Sequence, residues 1–312
     1  MKRLNSKVSI IIPTFKRPER VVRAVESVLK QDYDNYEIIV VDDNDPNSKE
    51  RKETSNNLQK YSKLTNFIYI EHSENKNGSA ARNTGIRNSN GKYITFLDDD
   101  DEYYENKLRI QANCLDSIGE EWGLCYTSYE KIDRFGNRQY SLEKSEGNLY
   151  IQALSKNLFI GSGSNFMIRK SVIDKIGVFD ETFIRNQDLE FLVRALKSYK
   201  IKYVDEITFL IHNEVREMKF SYKDLKVINE NYRLKFNSYI SSLSTKDRIL
   251  VNKYLDLIDF KTAISCLNLK GLYEVIRRSS YSLKELLEFI FYLIKRTLTK
   301  TSYGFKFKEV TH

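Results

Sequence analysis

Apolar residues in the first third of the chain come in two alternating patterns. Residues 8–12, 37–41, 67–70 and 93–97 are short continuous runs of Val, Ile and aromatic residues, as in strands buried on both faces. Between them, residues 18–30 carry Val21, Val22, Val25, Val28 and Leu29 at helical spacing, and residues 58–64 and 79–88 also read as helix. Strands alternating with helices predict a parallel sheet covered on both faces. Ligands of such sheets bind beyond the carboxyl ends of the strands. Here those ends carry Pro13, Thr14 and Phe15, then Asp42 and Asp43, then four consecutive aspartates at 98–101. Polar and acidic side chains therefore converge on one edge of the sheet.

Past residue 120 the pattern is less regular. Residues 123–129 and 161–169 read as strands, the second entered through a Gly/Ser loop, and residues 170–176 and 189–199 as helices. From about 221 onward helical spacing dominates, which puts a boundary near 215–225. Composition adds limits: 312 residues, 41% apolar and 30% charged, suffice for one large α/β domain with a smaller appendage. With only three prolines and no repeat, long disordered segments are not expected. Cys114, Cys125 and Cys266 form no CxxC or Cys/His cluster, so neither zinc nor a disulfide framework is indicated, and a reducing compartment fits. The basic N-terminus is broken at Pro13 before it could act as a signal peptide, and no run of 18 apolar residues is present to span a membrane.

The net charge of +8 fits a solvated basic surface, an anionic ligand, a membrane surface or nucleic acid. Much of it lies late in the chain, where residues 270–312 hold nine Lys/Arg against four Glu. Residues 283–298, LKELLEFIFYLIKRTL, predict an amphipathic helix. Such a helix can lie in a membrane interface, pack on the rest of the protein or form an oligomer contact. Nucleic acid is disfavoured: no binding motif is present, and without a metal the acidic strand ends repel phosphates.

The chemistry concentrates in YITFLDDDDEYY, residues 93–104. Four adjacent carboxylates repel one another, and folding them together is costly without a cation. Hard oxygen ligands suit Mg2+ or Mn2+, with diphosphate oxygens completing the shell. Asp42 and Asp43 can accept from a ribose hydroxyl or a base N–H, or simply cap a turn. In NGSAARNTG, residues 77–85, Gly78 permits an unusual turn, Ser79 can cap the following helix, and Arg82 lies near the same sheet edge. Arg82 could neutralise a diphosphate or pair with the aspartates.

VSIIIPTFKRPERV, EIIVVDDND, GSAARNTGI, YITFLDDDDEYYENKL and IGVFDETFIRNQDLEFLVR follow one another in that order. Together they resemble family 2 inverting glycosyltransferases over residues 7–215. The resemblance implies an A-type nucleotide-sugar-binding fold, a mostly parallel Rossmann-like α/β sheet flanked by helices. It implies a catalytic domain over 1–220, followed by a helical, basic region over 221–312. It also implies roles. Pro13, Thr14 and Phe15 line the base pocket, Phe15 against the uracil. Asp43 binds base or ribose. Asp98 and Asp99 match the ribose-side and first positions of the family's aspartate motif, and Asp100 matches its Mn2+ or Mg2+ ligand, the register open by one residue. Arg82 approaches the uracil or the diphosphate. Asp188 is the general base, preceded by Gln187 where the family usually has glutamate; Glu190 and Asp180 are the alternatives. His212, within FLIHNEVREMKFS, sits where some relatives place a diphosphate or metal contact, whereas His72 reads as a surface residue and His312 is terminal.

The function so implied is inverting transfer of a sugar from a UDP-sugar to the hydroxyl of a glycan or lipid-linked glycan, in bacterial surface polysaccharide or glycoconjugate synthesis. The implied location is cytoplasmic, at most peripheral on the inner face of the cell membrane, and an oligomer is compatible. A nucleotidyltransferase or a non-catalytic nucleotide-sugar-binding module are the alternatives.

Overall fold

The computed structural model describes residues 5–183, 185–213, 220–279 and 281–307. The elements in chain order are β1 (Val8–Thr14), α1 (Arg20–Leu29), β2 (Tyr36–Asp42), α2 (Lys49–Leu58), β3 (Phe67–Glu71), α3 (Gly78–Arg87), β4 (Tyr93–Phe96), β5 (Asp101–Tyr103) and α4 (Lys107–Ser117). They continue with β6 (Trp122–Asp133), β7 (Arg138–Ser141), α5 (Tyr150–Leu154), β8 (Met167–Arg169), α6 (Lys170–Ile176), α7 (Gln187–Leu196) and β9 (Lys200–Asn213). Then come α8 (Tyr222–Lys235), α9 (Asn237–Ser241), α10 (Thr245–Ser265), α11 (Leu269–Arg278), α12 (Leu283–Leu298) and β10 (Thr301–Ser302). Contacts divide the chain into two units: Met1–Asn148 with Ile160–Asn213, and Leu149–Phe159 with Glu214–His312. Residues 149–159, read from sequence with the first domain, are grouped with the second unit.

In the first unit β1 pairs in parallel with β2 and β4, and β2 with β3, giving the parallel half expected from the alternating pattern. Beyond β4 the sheet is mixed: β8 runs antiparallel to β4 and β6, while β9 is parallel to β6 and antiparallel to β5. Alternation along β1 and β2 sends Val8, Ile10, Ile12, Ile38 and Val40 to one face, against Val21, Val25 and Val28 of α1. Ile39 and Val41 go to the other face, with Ala81 of α3. There α3 lies so close that a Cβ on Gly85 would stand 2.3 Å from Ile11 Cγ2, so only glycine fits at that contact.

Three local readings change. The helix assigned to 58–64 is only partly found: α2 starts after Ser48, whose hydroxyl accepts from Arg51 N–H, ends at Leu58 and passes into a 3-10 turn over Gln59–Tyr61; it buries only Arg51, Thr54 and Leu58. A helix that buries an arginine and a threonine shows no apolar stripe. Residues 161–166 are not strand, because their polar side chains serve the site described below. And α3 is capped by Asn77, not Ser79: at φ 143° the Asn77 side chain accepts from Ser79 N–H and Ala80 N–H. The unusual backbone thus belongs to Asn77, and Gly78 is the first helical residue.

The second unit has its own core of Leu257, Phe260, Val275, Leu286, Phe289, Tyr292 and Phe305. Its last helix, α12, spans the residues the sequence predicts and begins with a capping box between Ser282 and Glu285. It buries Leu286, Phe289 and Tyr292, yet leaves Leu283, Leu287, Phe291, Ile294 and Leu298 between 51% and 77% exposed. Among the described residues no helix is long and apolar enough to cross a membrane.

Candidate active site

The four aspartates after β4 divide by burial. Asp99 is buried and ties the end of β4 to the end of β1. Its Oδ2 accepts from Thr14 Oγ1 at 2.9 Å and Phe15 N–H at 3.3 Å, and its Oδ1 from Arg17 Nη1 at 2.7 Å. Burial pushes its carboxyl up to about 6, against the pull of Arg17 and with the help of Asp100. Asp101 is buried too, opening β5, and accepts from Ser162 Oγ at 3.1 Å and Ser164 Oγ at 2.7 Å. Burial, with Asp98 and Asp100 nearby, raises it well above the usual carboxylate range.

Asp98 and Asp100 are the two whose carboxylates remain partly exposed, at 27% and 22% of their side-chain surface. Asp98 accepts from Arg82 Nη2 at 2.5 Å, and its own N–H donates to Ser164 Oγ. Asp100 pairs with Arg17 Nη1 at 2.8 Å, and burial together with Asp98 raises its pKa.

Asp43 follows β2 but is buried, and four hydrogen bonds engage its carboxylate. Oδ1 meets His72 Nδ1 at 2.7 Å and Lys76 N–H at 2.9 Å; Oδ2 accepts from Asn75 Nδ2 at 3.0 Å and Asn77 N–H at 2.9 Å. Asp43 therefore shapes the loop leading into α3. His72, read from sequence as a surface residue, is buried within that network, its Nε2 2.9 Å from Thr84 Oγ1. The imidazole is spent on joining β3, Asp43 and α3, which is why it lies inside. Pro13 is half-buried, Thr14 spends its hydroxyl on Asp99, and Phe15 presents a ring that is 41% exposed.

Arg82 reaches from α3 to the start of α7 and to the aspartates after β4. Besides Asp98 it donates through Nη1 to Gln187 Oε1 at 2.8 Å. Asp188 follows in the first turn of α7, half-buried, with Oδ1 accepting from Leu189 N–H at 2.9 Å. Burial and the negative charge of Asp98 raise its pKa, and Arg82 opposes them. Phe191 anchors the helix, stacked on Phe179 at 4.3 Å and edge-on to Phe96. Glu190 is buried and bonded to both Nε and Nη2 of Arg194, and Asp180 holds the turn at Thr182, so both alternative bases have other partners. His212 pairs with Glu102 at 2.6 Å. Residues 214–219 of its motif and His312 lie outside the described residues.

The sequence reading missed Arg17, although it stands inside a quoted motif; a cation three residues after the strand end, facing an acidic run, is the signal that could have found it. It also missed Ser162 and Ser164, and Asn165, whose carbonyl accepts from Lys107 Nζ at 2.8 Å. Lys107 is fully buried near Asp101, and desolvation lowers it to about 7.

Among the described residues no cluster of three or more His, Cys, Asp or Glu is arranged to hold a metal alone. A Mg2+ or Mn2+ shared with a diphosphate needs only one or two protein carboxylates. Asp98 and Asp100, oxygen donors left partly exposed, fit that demand.

A sequence model for glycosyl transferase family 2 matches residues 9–177. An uncharacterized glycosyltransferase of Rickettsia felis is 30% identical over 267 residues, covering 83% of this chain and 42% of the relative, so the chain spans less than half of that relative's length. The poly(ribitol-phosphate) beta-N-acetylglucosaminyltransferase TarP of Staphylococcus aureus is 30% identical over 267 residues, covering 80% of this chain and 78% of its own. Among solved structures, S. aureus TarS 1–349 in complex with UDP-GlcNAc superposes with a TM-score of 0.66 at 18% identity, covering 86% of this chain and 79% of that one. At that identity the likeness speaks to fold: the A-type arrangement of sheet and helices.

Proposed function

Because the chain belongs to glycosyl transferase family 2, we propose that it moves a sugar from a UDP-sugar to an acceptor hydroxyl with inversion at the anomeric carbon, Asp188 serving as base. The observation that carries this reading is the placement of Asp188: half-buried at the start of α7, of raised basicity, with Arg82 and Asp98 close enough to shift it. In the reaction Asp188 takes the hydroxyl proton as the acceptor oxygen bonds to C1. The bond from C1 to the diphosphate breaks, and its electron pair leaves on the diphosphate oxygen. Arg82, the cation beside Asp98, is assigned to stabilise that charge. Phe15 offers its exposed ring to the uracil, Pro13 and Thr14 precede it at the end of β1, and Asp43 holds the loop leading into α3. Asp99 holds Thr14 and Arg17 in place, and Asp98 faces the ribose. Asp100 would hold Mn2+ or Mg2+, which when bound neutralises charge on the departing diphosphate.

The donor assignment is supported by the UDP-GlcNAc complex of the TarS neighbour, and a surface-glycan acceptor by the poly(ribitol-phosphate) named for TarP. A glycan, lipid-linked glycan or polyol-phosphate hydroxyl fits this reading. The reaction is assigned to the cytoplasm, with the exposed stripe of α12 available to a membrane surface. The test is a screen of nucleotide sugars against such acceptors with product analysis. Free UDP plus a glycosylated acceptor supports the reading. Pyrophosphate release would make the protein a nucleotidyltransferase, and binding without turnover a non-catalytic module.

A further inference from the structure

Past Thr14, β1 ends in a turn of unusual backbone. Lys16 lies at φ 58°, a left-handed conformation that residues with a Cβ rarely adopt. Asparagine tolerates it, because its short side chain can bond the local backbone; lysine has no such bond to offer. The support comes instead from Asn44, buried just beyond β2. Its Oδ1 accepts from Lys16 N–H at 2.7 Å, and its Nδ2 donates to Asp42 Oδ1 at 2.8 Å. The second bond fixes which end of the amide faces the turn. Backbone pairing between the two strand ends runs as far as Asp43 N–H to Thr14 O at 2.9 Å. The Asn44 side chain then supplies an acceptor where the ladder has run out.

The residues on either side show what the turn sets. Phe15 N–H is taken by Asp99 Oδ2 at 3.3 Å, and Arg17 folds back to Asp99 and Asp100 at 2.7 and 2.8 Å. Those ion pairs hold Arg17 without help from Asn44. The Phe15 ring is 41% exposed, so its direction depends on the backbone to either side. We propose that Asn44 is the positioning residue for Phe15: by holding Lys16 left-handed, it fixes the direction in which the ring meets the base of the donor. This rests on the reading above that Phe15 faces the uracil.

The test measures uridine and UDP binding by calorimetry on the full chain with Mg2+ present, in wild type, Asn44→Ala, Lys16→Asn and the double variant. Asn44→Ala should lower uridine and UDP affinity by the same factor, about fivefold, as the loss of one net hydrogen bond implies. An equal factor places the effect at the base, because uridine has no diphosphate. Asparagine favours the left-handed conformation by itself, so Asn44→Ala should cost little in the Lys16→Asn background. A role confined to bracing Asp42 predicts equal losses in both backgrounds. Asn44→Ser, too short to reach Lys16 N–H but still polar beside Asp42, gives the same comparison if the alanine variant does not fold. Equal losses in both backgrounds, uridine binding as in wild type, or a loss with UDP alone each overturn the inference. Phe15→Ala separates this from the donor reading. Unchanged uridine binding there would remove Phe15 from the base pocket, and the inference with it. Weakened binding there, without coupling between positions 16 and 44, overturns the inference alone.

Discussion

The acidic cluster of the first unit and the last helix of the second place their charged and apolar side chains differently. In the first, carboxylates are drawn inward and satisfied across the chain: Asp99 by β1 and Arg17, Asp101 by Ser162 and Ser164, Asp43 by four donors of one loop. In the second, α12 carries apolar residues on two sides, one in the core and one in solvent. Burying a charge is costly unless it is paired, so the first unit's network must hold specific groups in place. An exposed apolar stripe costs little until something covers it. The first unit therefore holds particular polar groups in fixed places, and the second leaves an apolar stripe of α12 exposed.

That comparison can be broken most sharply at Asp188. Asp188→Asn should leave UDP affinity unchanged and lower the transfer rate by about 10²-fold or more, measured at saturating donor. Asn caps a helix nearly as well as Asp, so a capping role predicts near-normal transfer. The pH profile sharpens this. A carboxyl whose pKa is raised is a competent base only above that raised value, so wild-type turnover should fall as pH drops through a point above the ordinary carboxylate range. Asp188→Asn should lack that limb.

Next in size is Asp100→Ala. UDP affinity measured with Mg2+ should fall by about tenfold and cease to respond to EDTA. Equal affinity with and without EDTA in wild type would remove the metal from the account. Smaller still is Arg17→Gln, which leaves Asp99 and Asp100 without their shared cation. Thermal unfolding should show a loss of about 1–2 kcal/mol, reduced by the partial exposure of the arginine.

The smallest effect on catalysis is expected in the second unit. Replacing Leu287 and Phe291 by Asp should abolish sedimentation with anionic vesicles and leave UDP binding intact. Unchanged sedimentation would sink the membrane role. Truncation near 275 would be a poorer probe, because α12 also contributes Leu286, Phe289 and Tyr292 to the core of its unit.

What the sequence revealed follows the same division. The ends of β1, β2 and β4 were legible because apolar runs stop abruptly at polar residues, and α12 because its apolar residues recur at helical spacing. The convergence of Thr14 and the aspartates on one edge followed from the alternation of strands and helices, which puts the carboxyl ends of parallel strands on one side. Which aspartates are buried was not legible, since four identical residues carry no pattern; Ser162, Ser164 and Arg17, distant or uncharged in motif terms, decide it. His72 and α2 were misread for a related reason: a buried polar group looks like a surface group until its partners are placed. Gln187 was seen as a departure, but its bond to Arg82 joins residues 105 positions apart.

The central claim is a single displacement at the anomeric carbon with Asp188 as base, and the configuration of the product tests it most directly. With a UDP-sugar whose anomeric bond is α, NMR coupling at C1 of the isolated product should show a β linkage. An α linkage would mean retention, and would contradict a mechanism in which one carboxylate deprotonates the acceptor opposite the leaving diphosphate.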